Sequence, residues 1–156
     1  MDSADFDEHV TKLRKVYVEA TPRQRYSIAQ QRIERPEHGP NALVASVSAV
    51  EGLARSLAMH RRAQTKAELS ALYPKYKWRG PEELVEEYLL AGGLAAAAEY
   101  FGGEVWERFR YAVEYRNVLA HECTSLGQDR SPALIEACHT VLHMLAAAAG
   151  LKRAGA

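Results

Sequence analysis

The sequence lacks most of what would staple or anchor a small fold from outside. It has two cysteines, Cys123 and Cys138, too few for a disulfide framework. Its longest apolar runs, near 94–98 and 144–151, are too short to span a bilayer. The first eight residues are acidic and carry no apolar stretch, unlike a secretory leader. A soluble, cytoplasmic chain with reduced thiols and no membrane association is expected. Neither sign of charge is in excess, since Lys plus Arg and Asp plus Glu are 20 each, so an overall basic nucleic-acid binder is not indicated. There is no glycine-rich phosphate loop, no nucleophilic serine signature and no pair of carboxylates at an informative spacing. Nor does any stretch alternate apolar and polar residues long enough to suggest a sheet.

What is present is helix. At 156 residues and 47% apolar, the chain is long enough to bury one core, and a single helical domain over 1–156 is expected. Thr21-Pro22-Arg23-Gln24 reads as a capping box with proline at the first helical position, and Thr65 with Glu68 repeats the box. Gly80-Pro81 and Ser131-Pro132 open helices, and Gly92-Gly93 and Gly102-Gly103 close them. Three helices are long and strongly patterned. One runs from Asn41 to about His60 on Leu43, Val47, Val50, Ala54 and Leu57. One runs from about Glu104 to His121. The last runs from Ser131 to about Gly150 on Leu134, Cys138, Val141 and Leu145. Shorter helices near 5–19, 22–35, 66–73 and 81–91 complete an all-α bundle. Charge is blocky: 11–35 and 55–79 are basic and 82–104 is acidic, which reads as solvated helix faces.

One residue breaks the pattern. Projected at 100° per residue, Val105, Phe109, Ala112, Val113, Leu119 and Ala120 share an apolar face, with Arg116 in its middle. Glu107, Arg110 and Glu114 lie opposite. A guanidinium there is costly unless paired or working. Glu51 on the 41–60 helix is a candidate carboxylate for it, although Glu51 also suits Arg55 at i+4. Asn117 and His121 are four apart and share a face. Arg116 and His121 are separated by about 140° and about 7.5 Å along the axis, within an arginine's reach where the helix ends. A cation, an amide and an imidazole together can hold a phosphate and move a proton near neutral pH.

The run Arg116-Asn117-Val118-Leu119-Ala120-His121, on the penultimate long helix of a small all-helical protein, resembles the HEPN superfamily. Arg116, Asn117 and His121 match its Arg-x4–6-His motif with a polar residue in second place. Arg55 and His60 repeat the bare spacing, but Ser56 is less typical in second place than the family's usual asparagine, aspartate or histidine, and they lie on a different helix. The resemblance covers about 40 to 150 and implies an HEPN-like bundle, commonly a homodimer with one motif from each subunit in a shared cleft. It also implies metal-independent endoribonuclease chemistry, often in toxins or defence effectors. His121 would be general acid or base, Arg116 would hold the scissile phosphate, and Asn117 would orient the histidine or donate to the phosphate. RNA would be the substrate, and neither a metal nor another cofactor is implied. On this view the apolar stripe around Arg116 is a subunit interface with a polar hole in it.

Two further signals are weaker. Lys75, Tyr76, Lys77, Trp78 and Arg79 interleave rings with bases, as RNA-contacting loops do; a loop packed on the bundle through Tyr73 and Trp78 explains the same letters. His139 and His143 share a helix face at a metal-chelating spacing, but with Glu136 and Thr140 they read as a solvated side. Two rival functions stand beside the nuclease. One is a catalytically silent HEPN-like module that binds a nucleotide or a partner such as a nucleotidyltransferase-type antitoxin. Its mark would be a closed cleft or Arg116 in an ion pair with Glu51. The other is a plain helical scaffold.

Overall fold

A computed structural model describes residues 2–34, 40–122 and 131–151, with the backbone alone described at 40, 120–122 and 131. Among the described residues there are eight α-helices and no strand. They are α1 (Ser3–Glu19), α2 (Pro22–Ile33), α3 (Pro40–Arg62), α4 (Lys66–Tyr76), α5 (Pro81–Ala91), α6 (Ala97–Phe101), α7 (Gly103–Glu122) and α8 (Ser131–Ala148). The fold is all-α, as the helical punctuation indicates.

The starts and stops have local causes. At α2 the capping box closes in both directions: Gln24 N–H donates to Thr21 Oγ1 at 3.2 Å and Thr21 N–H to Gln24 Oε1 at 2.8 Å. At α4 the box is one-sided. Thr65 accepts from Glu68 N–H at 3.1 Å, but the Glu68 carboxylate takes the N–H of Gln64 instead, at 3.0 Å. The end of α5 is a Schellman motif. Gly93 adopts φ 69°, and Leu94 N–H and Gly93 N–H donate to the Leu89 and Leu90 carbonyls, both at 3.0 Å.

Helix α3 is the axle of the bundle. It lies against α2, α4, α5, α7 and α8, while α7 and α8 pack on each other and α6 packs on α7. Its expected stripe of Leu43, Val47, Val50, Ala54 and Leu57 is buried, as are Cys138, Val141 and Leu145 of α8. One cluster of buried side chains runs from Val18 to Ala146. By length and composition α3 is also apolar enough to cross a membrane, which the short runs of apolar letters did not suggest. Its richest window has a mean hydropathy of 1.3, and 67% of that window is buried by the rest of the bundle.

Several expectations are corrected. The segment Tyr73–Arg79 is not a free loop: α4 runs through Pro74 to Tyr76. Pro74 has no N–H to give the carbonyl four residues back, and α4 ends two residues later at Tyr76. Helix α6 was not foreseen, since five residues are too few to show a period. The charge blocks are not merely solvated, because the 55–79 and 82–104 blocks meet. Arg79 pairs with Glu87 at 2.5 Å and with Glu83 at 3.8 Å, and Arg61 donates to the Tyr88 carbonyl at 2.7 Å.

Candidate functional site

On α7 the buried side is formed by Trp106, Phe109, Ala112, Val113 and Tyr115. Trp106 stacks on Phe101 with centroids 5.7 Å apart. Val105 and Leu119 are only partly buried, and the side chain of Ala120 lies outside the described set. Glu107, Arg110 and Glu114 are exposed, as expected. Arg116 follows Phe109 and Val113 at helical spacing, which carries its guanidinium inward. Phe109, Ala112 and Val113 of the stripe are covered within this chain, where α7 packs on α3, α6 and α8.

The side chain of Arg116 is 16% exposed, and its Nη2 lies 3.2 Å from Oε1 of Glu51, which is 22% exposed. The other carboxylate oxygen of Glu51 lies 3.6 Å from Nη2 of Arg55. One carboxylate is therefore shared by two guanidiniums, and the cluster keeps one net positive charge. Arg55 is fixed from the far side, donating to the carbonyls of Tyr76 at 3.2 Å and Arg79 at 3.1 Å. Beside Glu51, the Gly52 carbonyl accepts from the Tyr17 hydroxyl at 2.9 Å. Burial pushes the Tyr17 phenol above its usual pKa, against the pull of Arg55 and Arg25. Burial also pushes the Cys138 thiol up to about 12, although the positive charge of Arg116 draws it down.

Arg116 Nη2 also reaches Asn117 Oδ1 at 3.5 Å, the long edge of hydrogen bonding. Asn117 is exposed, so the guanidinium bridges the interior and the surface. His121 occupies the last described turn of α7, one turn beyond Asn117; its side chain lies outside the described set. Asn117 borders a groove of about 430 Å³ with Glu82, Glu107, Arg110, Tyr111, Val113 and Glu114. Three carboxylates there face one guanidinium, and Arg110 is already 3.2 Å from Glu82. The charge of this groove disfavours a phosphate.

The ring-and-base segment divides. Tyr76 is fully buried, its hydroxyl donating to Glu87 at 2.7 Å and accepting from Arg62 at 3.0 Å. It cannot stack on a base. Arg79 is engaged with Glu83 and Glu87. Trp78 is 82% exposed, with Lys77 Nζ 4.7 Å from its ring, and Lys75 is exposed. The ring that packs is thus Tyr76, not Trp78, while Tyr73 meets Tyr17 edge-on. His139 and His143 do not form a solvated side either. His143 Nδ1 lies 2.6 Å from the Tyr26 hydroxyl and His139 Nε2 lies 3.4 Å from Ser46 Oγ, because α2 and α3 cover that face of α8. Among the described residues no three His, Cys, Asp or Glu side chains gather as a metal site would require.

Sequence reasoning missed Tyr17 as a member of this cluster. Arg55 was visible as the i+4 partner of Glu51; nothing in the letters links Tyr17 to Gly52. No family model matches the chain, and no curated protein or solved structure matches it either.

Proposed function

We propose that the chain is a metal-independent endoribonuclease of HEPN type that acts on RNA in the cytoplasm. The observation that carries this reading is the setting of Arg116. Its guanidinium ends a buried apolar stripe and is aimed by Glu51. It touches exposed Asn117 and precedes His121 by five residues on one helix. In the proposed reaction the ribose 2′-hydroxyl attacks the adjacent phosphorus and the bond to the 5′ oxygen breaks. A 2′,3′-cyclic phosphate and a 5′-hydroxyl remain. His121 takes the proton from the nucleophile or gives one to the leaving oxygen, and Arg116 neutralises charge growing on the non-bridging oxygens. A two-fold pairing of chains would supply one imidazole as base and one as acid. The test is cleavage of single-stranded RNA in EDTA. Arg116→Ala and His121→Ala should each abolish it while the helical content is retained; cleavage that survives both defeats the proposal.

The ion pair itself favours the second reading, a silent binding module for a nucleotide or an antitoxin-like partner, because a locked Arg116 is that reading's mark. Charge weighs against it: Glu51 neutralises one guanidinium and lies against two, so an anion is still attracted. A chain that binds mononucleotides or a partner protein yet never cuts RNA would establish the silent module instead.

A further inference from the structure

The basic stretch 11–35 holds a charge that the candidate site leaves unused. Arg25, on α2, has its guanidinium carbon 4.6 Å from the centre of the Tyr17 ring. A Cβ at Gly52 would lie 3.4 Å from its Nη2, so the bare backbone of α3 is its other support. Tyr17 is itself fixed by its hydrogen bond to the Gly52 carbonyl. The guanidinium is thus held by a ring and a glycine rather than by a carboxylate. Its Nε is buried and has no hydrogen-bond partner. Burial lowers the Arg25 pKa and the Tyr17 phenol acts the other way; among the described residues no carboxylate compensates the charge. Arginine keeps its proton inside proteins, so the cation stays and an anion beside it is favoured.

Arg25 is partly exposed and lines an open cleft of about 330 Å³ between α2 and α3. Among the described residues none that lines this cleft is acidic, whereas three carboxylates line the groove beside Asn117. Arg32 lines the cleft seven residues after Arg25, on the same face of α2 and about 10 Å further along its axis. Asn41 and Ser48 face them from α3, also seven apart, and both are exposed. Ser48 lies one turn before Gly52, so it belongs to the Arg25 end of the cleft. Between these polar ends the walls are apolar, with Ile28 of α2 still 45% exposed and Val44 of α3 still 36% exposed.

The two parts of the cleft call for two parts of one ligand. A guanidinium with a hydroxyl near it suits a phosphate. Two uncovered apolar walls suit a flat ring, which inorganic phosphate and sugar phosphates lack. The volume is at the small end of ligand pockets, enough for one nucleotide and too little for a strand.

We infer that the α2–α3 cleft is a mononucleotide site, in which Arg25 and Ser48 take the phosphate of a purine nucleotide and Ile28 and Val44 flank its base. Asn41, at the far end, meets the polar edge of the base, as an asparagine can meet adenine. The ligand sits at Arg25 and not at Arg116, where both functions proposed above place theirs. The site stands whether or not the chain cuts RNA.

The experiment is titration calorimetry of the full chain with AMP, adenosine and inorganic phosphate. Wild type is expected to bind AMP, and to bind adenosine and phosphate at least roughly tenfold more weakly. Ser48→Glu sets a carboxylate at the Arg25 end and should weaken AMP roughly tenfold or more. Arg25→Gln should do the same, with circular dichroism reporting the helix content. If Arg25→Gln loses helix, Ser48→Glu decides alone, since position 48 is exposed. Arg116→Ala, where it keeps its helix content, should bind AMP as wild type does. A wild type that does not bind AMP overturns the inference. So does adenosine or phosphate binding as tightly as AMP, and so does an AMP affinity that Ser48→Glu leaves unchanged. Loss of AMP binding in a folded Arg116→Ala overturns it too, because the ligand would then sit at the other site.

Discussion

Removing the Glu51 carboxylate tests how Arg116 is held. In Glu51→Ala the Arg116 guanidinium, 16% exposed, loses the carboxylate 3.2 Å away, while Arg55 keeps its two carbonyl acceptors. Breaking a fully buried pair costs about 3–5 kcal/mol, and a fully exposed pair is worth about 0–1 kcal/mol. This pair is mostly but not fully buried, with 22% of Glu51 still in water. The expected loss is therefore about 2 kcal/mol, a fall in Tm of about 4–8 °C for a chain of this size. Much of that loss is the cost of stranding Arg116, so Arg116→Ala in the Glu51→Ala background should be far milder than Arg116→Ala alone. Urea denaturation of the four proteins in a double-mutant cycle should give a coupling of about 1–2 kcal/mol. Additive losses, agreeing within about 0.3 kcal/mol, would refute the claim that Glu51 positions Arg116.

Three other predictions concern the surroundings. Tyr76→Phe strands the Glu87 oxygen 2.7 Å from the hydroxyl, which should cost about 1–2 kcal/mol in chemical denaturation. No loss would mean the hydroxyl is not engaged. In a Cys123→Ser background, Cys138 should resist alkylation until the chain unfolds, since burial raises its pKa from 9.0 to about 12. The folded thiol holds its proton between those values while the unfolded thiol loses it, so stability should fall from pH 9 to pH 12, with Cys138→Ala flattening the fall; rapid labelling of the native thiol would contradict this. Trp78→Ala should change stability by less than about 0.5 kcal/mol and remove the quencher-accessible part of the tryptophan emission, leaving buried Trp106; unchanged quenching would place Trp78 inside.

Helix positions were legible because their signals are local. Thr21 with Gln24, the glycines after α5, and the stripe of α3 each act within a few residues of chain. The choice of Arg116 was legible for the same reason: a charge at the centre of an apolar period is visible without any neighbour. What could not be read was which helix covers which face. His139 and His143 look like a wet side until α2 brings Tyr26 over them. Tyr76 and Trp78 are two letters apart in a basic run, and only the turn at the end of α4 decides that the first is buried and the second exposed. Tyr17 joins the Glu51 cluster through a backbone carbonyl, a contact that leaves no trace in the residue types.

Under the proposed function Arg116, Asn117 and His121 cut RNA without a metal. It is tested most directly by product analysis after the purified chain meets single-stranded RNA in EDTA, beside the same RNA carrying a single 2′-deoxy sugar at the cut site. The first RNA should yield 2′,3′-cyclic phosphate and 5′-hydroxyl ends, and the second should stay uncut at the deoxy sugar. Cleavage at the deoxy position, or intact RNA at every protein concentration tried, would contradict it.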